Sequence, residues 1–221
     1  WGIEADDSAG HPLTVMPIGV LIQAIAALGV ERFAPTALLT VLKHPLVRSG
    51  ADRLVWLDGV RRLDVALRGP RPAPGLDGLA AWLKSGNERE RANRDRAVDW
   101  WAETAPVFKE FEAAFASARA SFGDLLTAIR HLLEILGGEH VWAGTAGRCA
   151  ADLFTELSSR HELGPNDFAH DDLLPLLRLL LAEKAIRPPQ GGHPRLAIYG
   201  LIEARLQQPD FLILGGLNEG N

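Results

Sequence analysis

Between residues 17 and 184 the apolar side chains return at helical spacing, and strand-like runs occur only near the two ends. This pattern constrains the fold more than any other feature, because period 3.6 and period 2 bury different faces and rarely coexist in one segment. Pro17 suits a first helical position, and the apolar run that follows it ends near Gly29. Pro35 opens a second helix over 35–43, with Leu38, Leu39 and Leu42 on one face and Pro45 as its stop. Leu54, Leu57, Val60, Leu63 and Leu67 mark a third, broken by the GPRPAPG run at 69–75, which is the best internal linker or hinge. Residues 87–103 read as a charged helix with Trp100 and Trp101 near its end, and Pro106 restarts a helix towards Ala120. Ser121 and Asp124 resemble a capping box ahead of Leu125, Leu126, Ile129, Leu132, Leu133 and Leu136, with Gly137 and Gly138 as the stop. Two more helices are expected over 141–160 and 171–184. Strand chemistry is confined to residues 3–6, 195–199 and 211–214, the last expected to be buried, with a polar stretch over 200–206 between the latter two. A Gly-rich turn at 215–220 follows, and such turns after strands are where α/β sheets put ligands.

Composition narrows the function classes. The 221 residues can hold one large or two small domains and bury a real core. The longest apolar stretch, Pro17–Val30, has fourteen residues and contains Gln23, too short for a membrane span. With no basic, apolar leader pattern before it, the cytoplasm is the expected compartment and no membrane partner is expected. A lone Cys149 excludes an internal disulfide, a Cys-rich zinc site and a four-Cys cluster. The net charge of −5 argues against a chain that coats nucleic acid over its whole surface. The bias of 19 Arg against 4 Lys favours planar, bidentate anion contacts in principle, yet genome base composition produces the same bias.

The catalytic inventory is short. The sequence contains no GxxxxGK[ST] phosphate loop, no HExxH and no GxSxG. No nucleophile–base pair stands out, and the segment is expected to be non-catalytic and to carry no cofactor. His161 with His170, Asp171 and Asp172 offers two imidazoles and two carboxylates. The aspartates are better read as first-turn acids that favour a helix dipole, so no metal site is expected. His44 reads as a structural residue favouring a helix C-terminus, and tryptophans 56, 82, 100, 101 and 142 as core rather than base-stacking platforms.

Two polar clusters remain. Arg48, Arg53, Arg61, Arg62, Arg68 and Arg71 outnumber Asp52, Asp58 and Asp64. Arg61 and Arg68, seven apart, are expected to share a helix face, where they either contact phosphate or form a solvated face with intrahelical ion pairs. The second cluster is the terminal stretch with Glu203, Arg205, Asn218 and Glu219.

GLIEARLQQPDFLILGGLNEG, together with WGIEADDSAGHPL, LLTVLKHPLVRSG and LRGPRPAPGL in this order, resembles the AddB subunit of bacterial AddAB helicase–nucleases in its alphaproteobacterial form. The four islands extend from one end of the chain to the other. The resemblance implies a fold that is mainly α with a small β component: a helical insertion, like helicase domain 2B, flanked by strands of a RecA-like α/β domain. Residues 1–16 would be the opening strand and turn, 17–190 the insertion, and 191–221 the resumed strand–helix–strand unit. Gly200, Leu201, Ile202 and Glu203 would match a KGLE-type helicase motif. Tyr199 stands where that motif has Lys and one residue is inserted before Glu203, which fits a helicase-like domain without motor function.

The function so implied is a non-catalytic part of a DNA end-processing machine in recombinational double-strand break repair. The segment would be cut from a longer polypeptide whose phosphate loop and nuclease carboxylates lie elsewhere. Its partners would be DNA, as a single strand or a duplex end, and an AddA-type motor subunit. Glu203, Arg205, Asn218 and Glu219, with Arg61 and Arg68, are the candidate DNA-contacting residues. The competing expectation is a helical protein–protein scaffold that never touches DNA, with Glu203 and Arg205 in a structural ion-pair network.

Overall fold

Residue 17 starts the first helix and residue 182 ends the last helix of a body built almost wholly of helices, as seen in a computed structural model that describes residues 6–7, 10–160, 164–187 and 196–215. The chain divides into two units: Pro12–Ile186, and Trp1–His11 with Arg187–Asn221. About two thirds of the described residues are helical and about a twentieth are strand, so the mainly α expectation with small sheets holds.

In the helical unit, α1 (Pro17–Val30) lies at the centre, packed by α2 (Pro35–Lys43), α7 (Phe122–Gly137), α8 (Gly144–Ser159) and α9 (Leu173–Ala182). A helix apolar on nearly all sides must be surrounded, and Leu21, Ile22, Ile25 and Leu28 are fully buried. Its one amide, Gln23, is satisfied locally: Nε2 donates to the carbonyls of Thr14 and Gly19 at 2.9 and 3.0 Å. Gly19 is required there, since a Cβ would lie 1.8 Å from the Leu13 carbonyl oxygen. The Leu13 N–H donates to Lys184 O at 2.8 Å, so the entry and exit of this unit lie side by side.

A second group of helices comprises α3 (Arg53–Ala66), α4 (Gly75–Lys84) and α5 (Glu88–Thr104), with α5 packed on both others. The charged sequence of α5 reflects its solvent side; Ala97 and Trp101 supply the buried side. Asn87 and Glu90 close a reciprocal capping box at its start, satisfying two otherwise orphaned N–H groups. At the α3–α5 crossing Gly59 is indispensable, because a Cβ would meet the Trp100 indole at 2.2 Å. Arg94 is buried, with its guanidinium 3.8 Å from the Trp82 ring centre and bonded to Ser85 Oγ at 3.0 Å, which ties α5 to the end of α4.

The 69–75 linker joins α3 to α4 within this unit and is held at several points. Arg71 donates to Glu31 O at 3.1 Å, the Gly75 N–H to Arg32 O at 3.0 Å, and the Leu76 N–H to Glu112 Oε1 at 2.7 Å.

Several local expectations are corrected. The helix expected from Pro106 to Ala120 begins as a 3-10 turn and continues as α6 only over Lys109–Ala114; Arg119–Ala120 instead pairs antiparallel with Phe168–Ala169. Ser121 stands at the N-cap of α7, but its side chain makes no capping bond. The segment before α8 is a 3-10 helix, Gly138–Trp142, broken at Gly144, whose positive φ of 71° interrupts regular winding.

In the terminal unit, Asp6–Asp7 pairs parallel with Ala197–Ile198, in the register Asp6 to Ala197 and Asp7 to Ile198. A one-turn helix, α10 (Leu201–Ala204), follows. The buried strand expected at 211–214 is not observed: these residues are in no strand, and Phe211 and Ile213 are each 79% exposed. A strand needs a neighbour for its N–H and C=O groups, and among the described residues this sheet holds only two strands of two residues each. Residues 3–5 of the expected opening strand lie outside the described residues, as does most of the Gly-rich turn.

Candidate nucleic-acid interface

The α3 region turns most of its arginines inward or onto neighbours. Arg53 donates to Val47 O and, at 2.8 Å, to Lys43 O, closing the carbonyl end of α2. Arg62 pairs with Asp58 one turn away. Lys43 Nζ reaches Asp64 Oδ2 at 2.7 Å, and Arg68 Nε lies 3.7 Å from Asp64 Oδ1. Asp64 is held below the ordinary carboxylate range, chiefly by the Lys43 hydrogen bond against a smaller opposing effect of burial. Arg61 is exposed on α3 and forms no ion pair among the described residues.

Of the pair expected to share a helix face, only Arg61 lies on α3 itself. The helix ends at Ala66 with Leu67 as its cap, so Arg68 projects from the first turn of the linker. Gly69, at φ 121°, makes the break there. The ion-pair alternative therefore applies to Arg62 and, weakly, to Arg68, while Arg61 stays open to solvent.

Glu203 and Arg205 belong to the terminal unit. Glu203 lies within α10; Arg205 follows it, with an exposed side chain and its N–H bonded to Ile202 O at 3.2 Å. Tyr199, at the position of the motif Lys, is about half exposed. Asn218 and Glu219 lie outside the described residues.

A feature that sequence periodicity missed sits between α3 and α5. Trp56 and Trp100, 44 positions apart, meet edge to face with ring centres 5.2 Å apart, and neither is fully buried. The Arg48 guanidinium lies 5.6 Å from the Trp56 ring centre, and Arg48 holds a left-handed backbone at φ 48°. These residues line a cavity of about 320 Å³ together with Asp52 and Glu103. Trp101, by contrast, is the core residue expected, 2% exposed and stacked on Phe108. Trp82 is partly buried, with Nε1 donating to Ala66 O at 3.0 Å. Helical spacing separates inward from outward positions on one helix, but it does not show that two half-buried indoles from distant helices meet.

His44 behaves differently from the dipole reading. His44 Nδ1 accepts the Leu46 N–H at 3.3 Å, and burial, aided by the Arg53 charge, pushes its pKa below the ordinary 6.5. It is a neutral acceptor at the end of α2 rather than a cation on the dipole. His170 is buried against the Phe115 ring, its Nε2 has no partner, and burial likewise lowers its pKa. Asp171 and Asp172 sit just ahead of α9, at the positive end of its dipole. Among the described residues no group of three or more His, Cys, Asp or Glu could hold a metal ion, and His161 lies outside them. No helix among them is long and apolar enough to cross a membrane.

A scan against protein-family models gives no match, and searches of curated proteins and of solved structures likewise give none.

Proposed function

We propose that this chain is a non-catalytic, helicase-like segment of an AddB-type subunit in a double-strand break repair complex. It would shape the path of a DNA strand and pack on an AddA-type motor subunit in the cytoplasm. The reading rests on the four sequence islands quoted above and is supported by one structural observation. Asp6–Asp7 and Ala197–Ile198, about 190 residues apart, pair as parallel neighbours, and the intervening helical unit begins and ends at adjacent points. A helical insertion between neighbouring strands of an α/β domain has this arrangement. Parallel strands joined by a helical crossover are the connection used in α/β domains, which is compatible with RecA-like flanks. Arg205 and Arg61, both exposed, are free to meet a phosphate backbone in this reading.

The test is single-stranded DNA binding by fluorescence anisotropy at low and moderate salt. Binding should weaken steeply with salt, and Arg205→Ala should lower affinity without changing the thermal transition. Absence of binding at low salt would sink the DNA reading.

The scaffold alternative has its own supporting observation. Leu54 and Val55 project from the start of α3 at 74% and 73% exposure, an apolar pair suited to a partner protein. It predicts a salt-insensitive association with the motor subunit that Leu54→Ser and Val55→Ser abolish.

A further inference from the structure

The open side of the linker after α3 borders a cavity of about 550 Å³, within the volume range of small-molecule sites. Its apolar walls include Pro35 and Leu39 of α2 and Leu67 at the end of α3, and its polar side chains are Thr36, Asp64, Arg68 and Arg71. Asp64 is already engaged by Lys43 at 2.7 Å. Arg68 lies 3.7 Å from the same carboxylate with its side chain 72% exposed, so most of its donors face outward. Arg71 is fixed in place by one bond to Glu31 O at 3.1 Å, which uses one of its five N–H donors. Among the charged side chains lining the cavity, Arg68 and Arg71 outnumber the one aspartate. The break at Gly69 lets two arginines three residues apart border the same cavity.

We infer that this cavity is a phosphate-ester site, in which Arg68 and Arg71 hold the phosphate and the Pro35, Leu39 and Leu67 surface takes the attached sugar and base. An apolar floor beside a doubly cationic rim matches a nucleotide better than a bare anion, which would leave the floor wet, and better than an apolar ligand, which would leave the guanidinium donors unused. The chemistry is shared by a nucleotide within a strand and by a free phosphate. The strand is the source inferred here, and that choice rests on the DNA reading above. In that setting the linker positions the arginines, and the surface between α2 and α3 becomes one contact along the DNA path.

The experiment is a methyl-resolved NMR titration of the protein with oligo-dT and, separately, with inorganic phosphate, paired with anisotropy on Arg68→Gln/Arg71→Gln. A control, Arg89→Gln/Arg96→Gln, removes the same charge from the exposed side of α5, and circular dichroism confirms the fold of each variant. The expected result is that oligo-dT shifts the Leu39 and Leu67 methyls. The Arg68/Arg71 variant should then bind about tenfold more weakly, with a salt slope reduced by about 0.7 for the one single-strand phosphate the two arginines share, while the control changes little. If oligo-dT binds but those methyls stay still and both variants behave alike, this site is overturned while the DNA reading stands. If phosphate shifts the methyls and oligo-dT does not bind, the strand source is overturned together with the DNA reading. Silence with both ligands overturns the site outright.

Discussion

Apolar residues meet opposite fates in the two units. In the helical unit Leu21, Ile25, Phe108 and Leu125 are entirely buried, whereas in the terminal unit Ile202, Leu206, Phe211 and Ile213 are each more than three quarters exposed. The difference is not one of residue type, since both stretches are rich in Leu, Ile and Phe. Helices satisfy their own backbone bonds and need only a neighbour for one face, so a bundle closes around α1 with the residues at hand. A strand must find both hydrogen-bond partners and covering layers, and a sheet of two two-residue strands supplies neither. Burial in the helical unit is thus a property of the unit itself, while the described terminal apolar run is left exposed.

The comparison is broken most directly by one substitution made twice. Phe108→Ala removes a fully buried ring that packs on Phe33 and Trp101, and should cost about 3–5 kcal/mol. Phe211→Ala, at 79% exposure, should stay within about 0.5 kcal/mol. Urea unfolding followed by circular dichroism measures both. Equal costs would mean that the terminal run is buried in solution.

Gly59→Ala tests the closeness of packing within the helical unit. The new methyl would collide with the Trp100 indole, forcing α3 and α5 apart or turning the ring. A loss of about 1–3 kcal/mol is expected, accompanied by a change in near-ultraviolet circular dichroism as the Trp56–Trp100 pair at 5.2 Å is disturbed. An unchanged spectrum with unchanged stability would show that the crossing is looser than described.

These two substitutions also mark how far the sequence could be read. Helix α2 over Pro35–Lys43 and the start of α1 at Pro17 were legible because proline at a first position and a clear apolar face act locally. The end of α6 was not, because the chain from Arg119 leaves helix to pair with Phe168–Ala169, and that partner lies nearly fifty residues away. The run at 211–214 carries strand composition, but composition does not supply a pairing partner. Among the site residues, the exposure of Arg61 was legible from its place on a charged helix face. The placement of Arg68 beyond the helix end was not, since Leu67 continued the apolar spacing for one residue past the hydrogen-bonded helix. The Trp56–Trp100 contact and the Arg68–Arg71 cavity are tertiary juxtapositions, which no periodicity along one helix encodes.

The smallest effect expected is a pH dependence confined to the helical unit. His44 and His170 both have pKa values lowered from 6.5, by burial first and, for His44, by the neighbouring Arg53 charge. For His170 the Asp171 charge opposes burial without overcoming it. A histidine that is harder to protonate when folded binds fewer protons in the native than in the unfolded state. Stability is therefore full above the unfolded pKa, falls as pH drops through about 6.5, and levels off below the lowered folded values. Asp64 acts in a separate, more acidic window: its lowered pKa contributes stability that is lost only as pH falls through the carboxylate range. Thermal melts at pH 7.5 and 5.5 should show a modest fall in Tm, and His44→Gln/His170→Gln should flatten it. The double variant will lower Tm at both values, since Leu46 loses its nitrogen acceptor and Phe115 its ring neighbour, so the slope between the two pH values is the quantity to compare. A slope that survives in the double variant would assign the dependence to other groups and show that both imidazoles reach water more readily than their packing indicates.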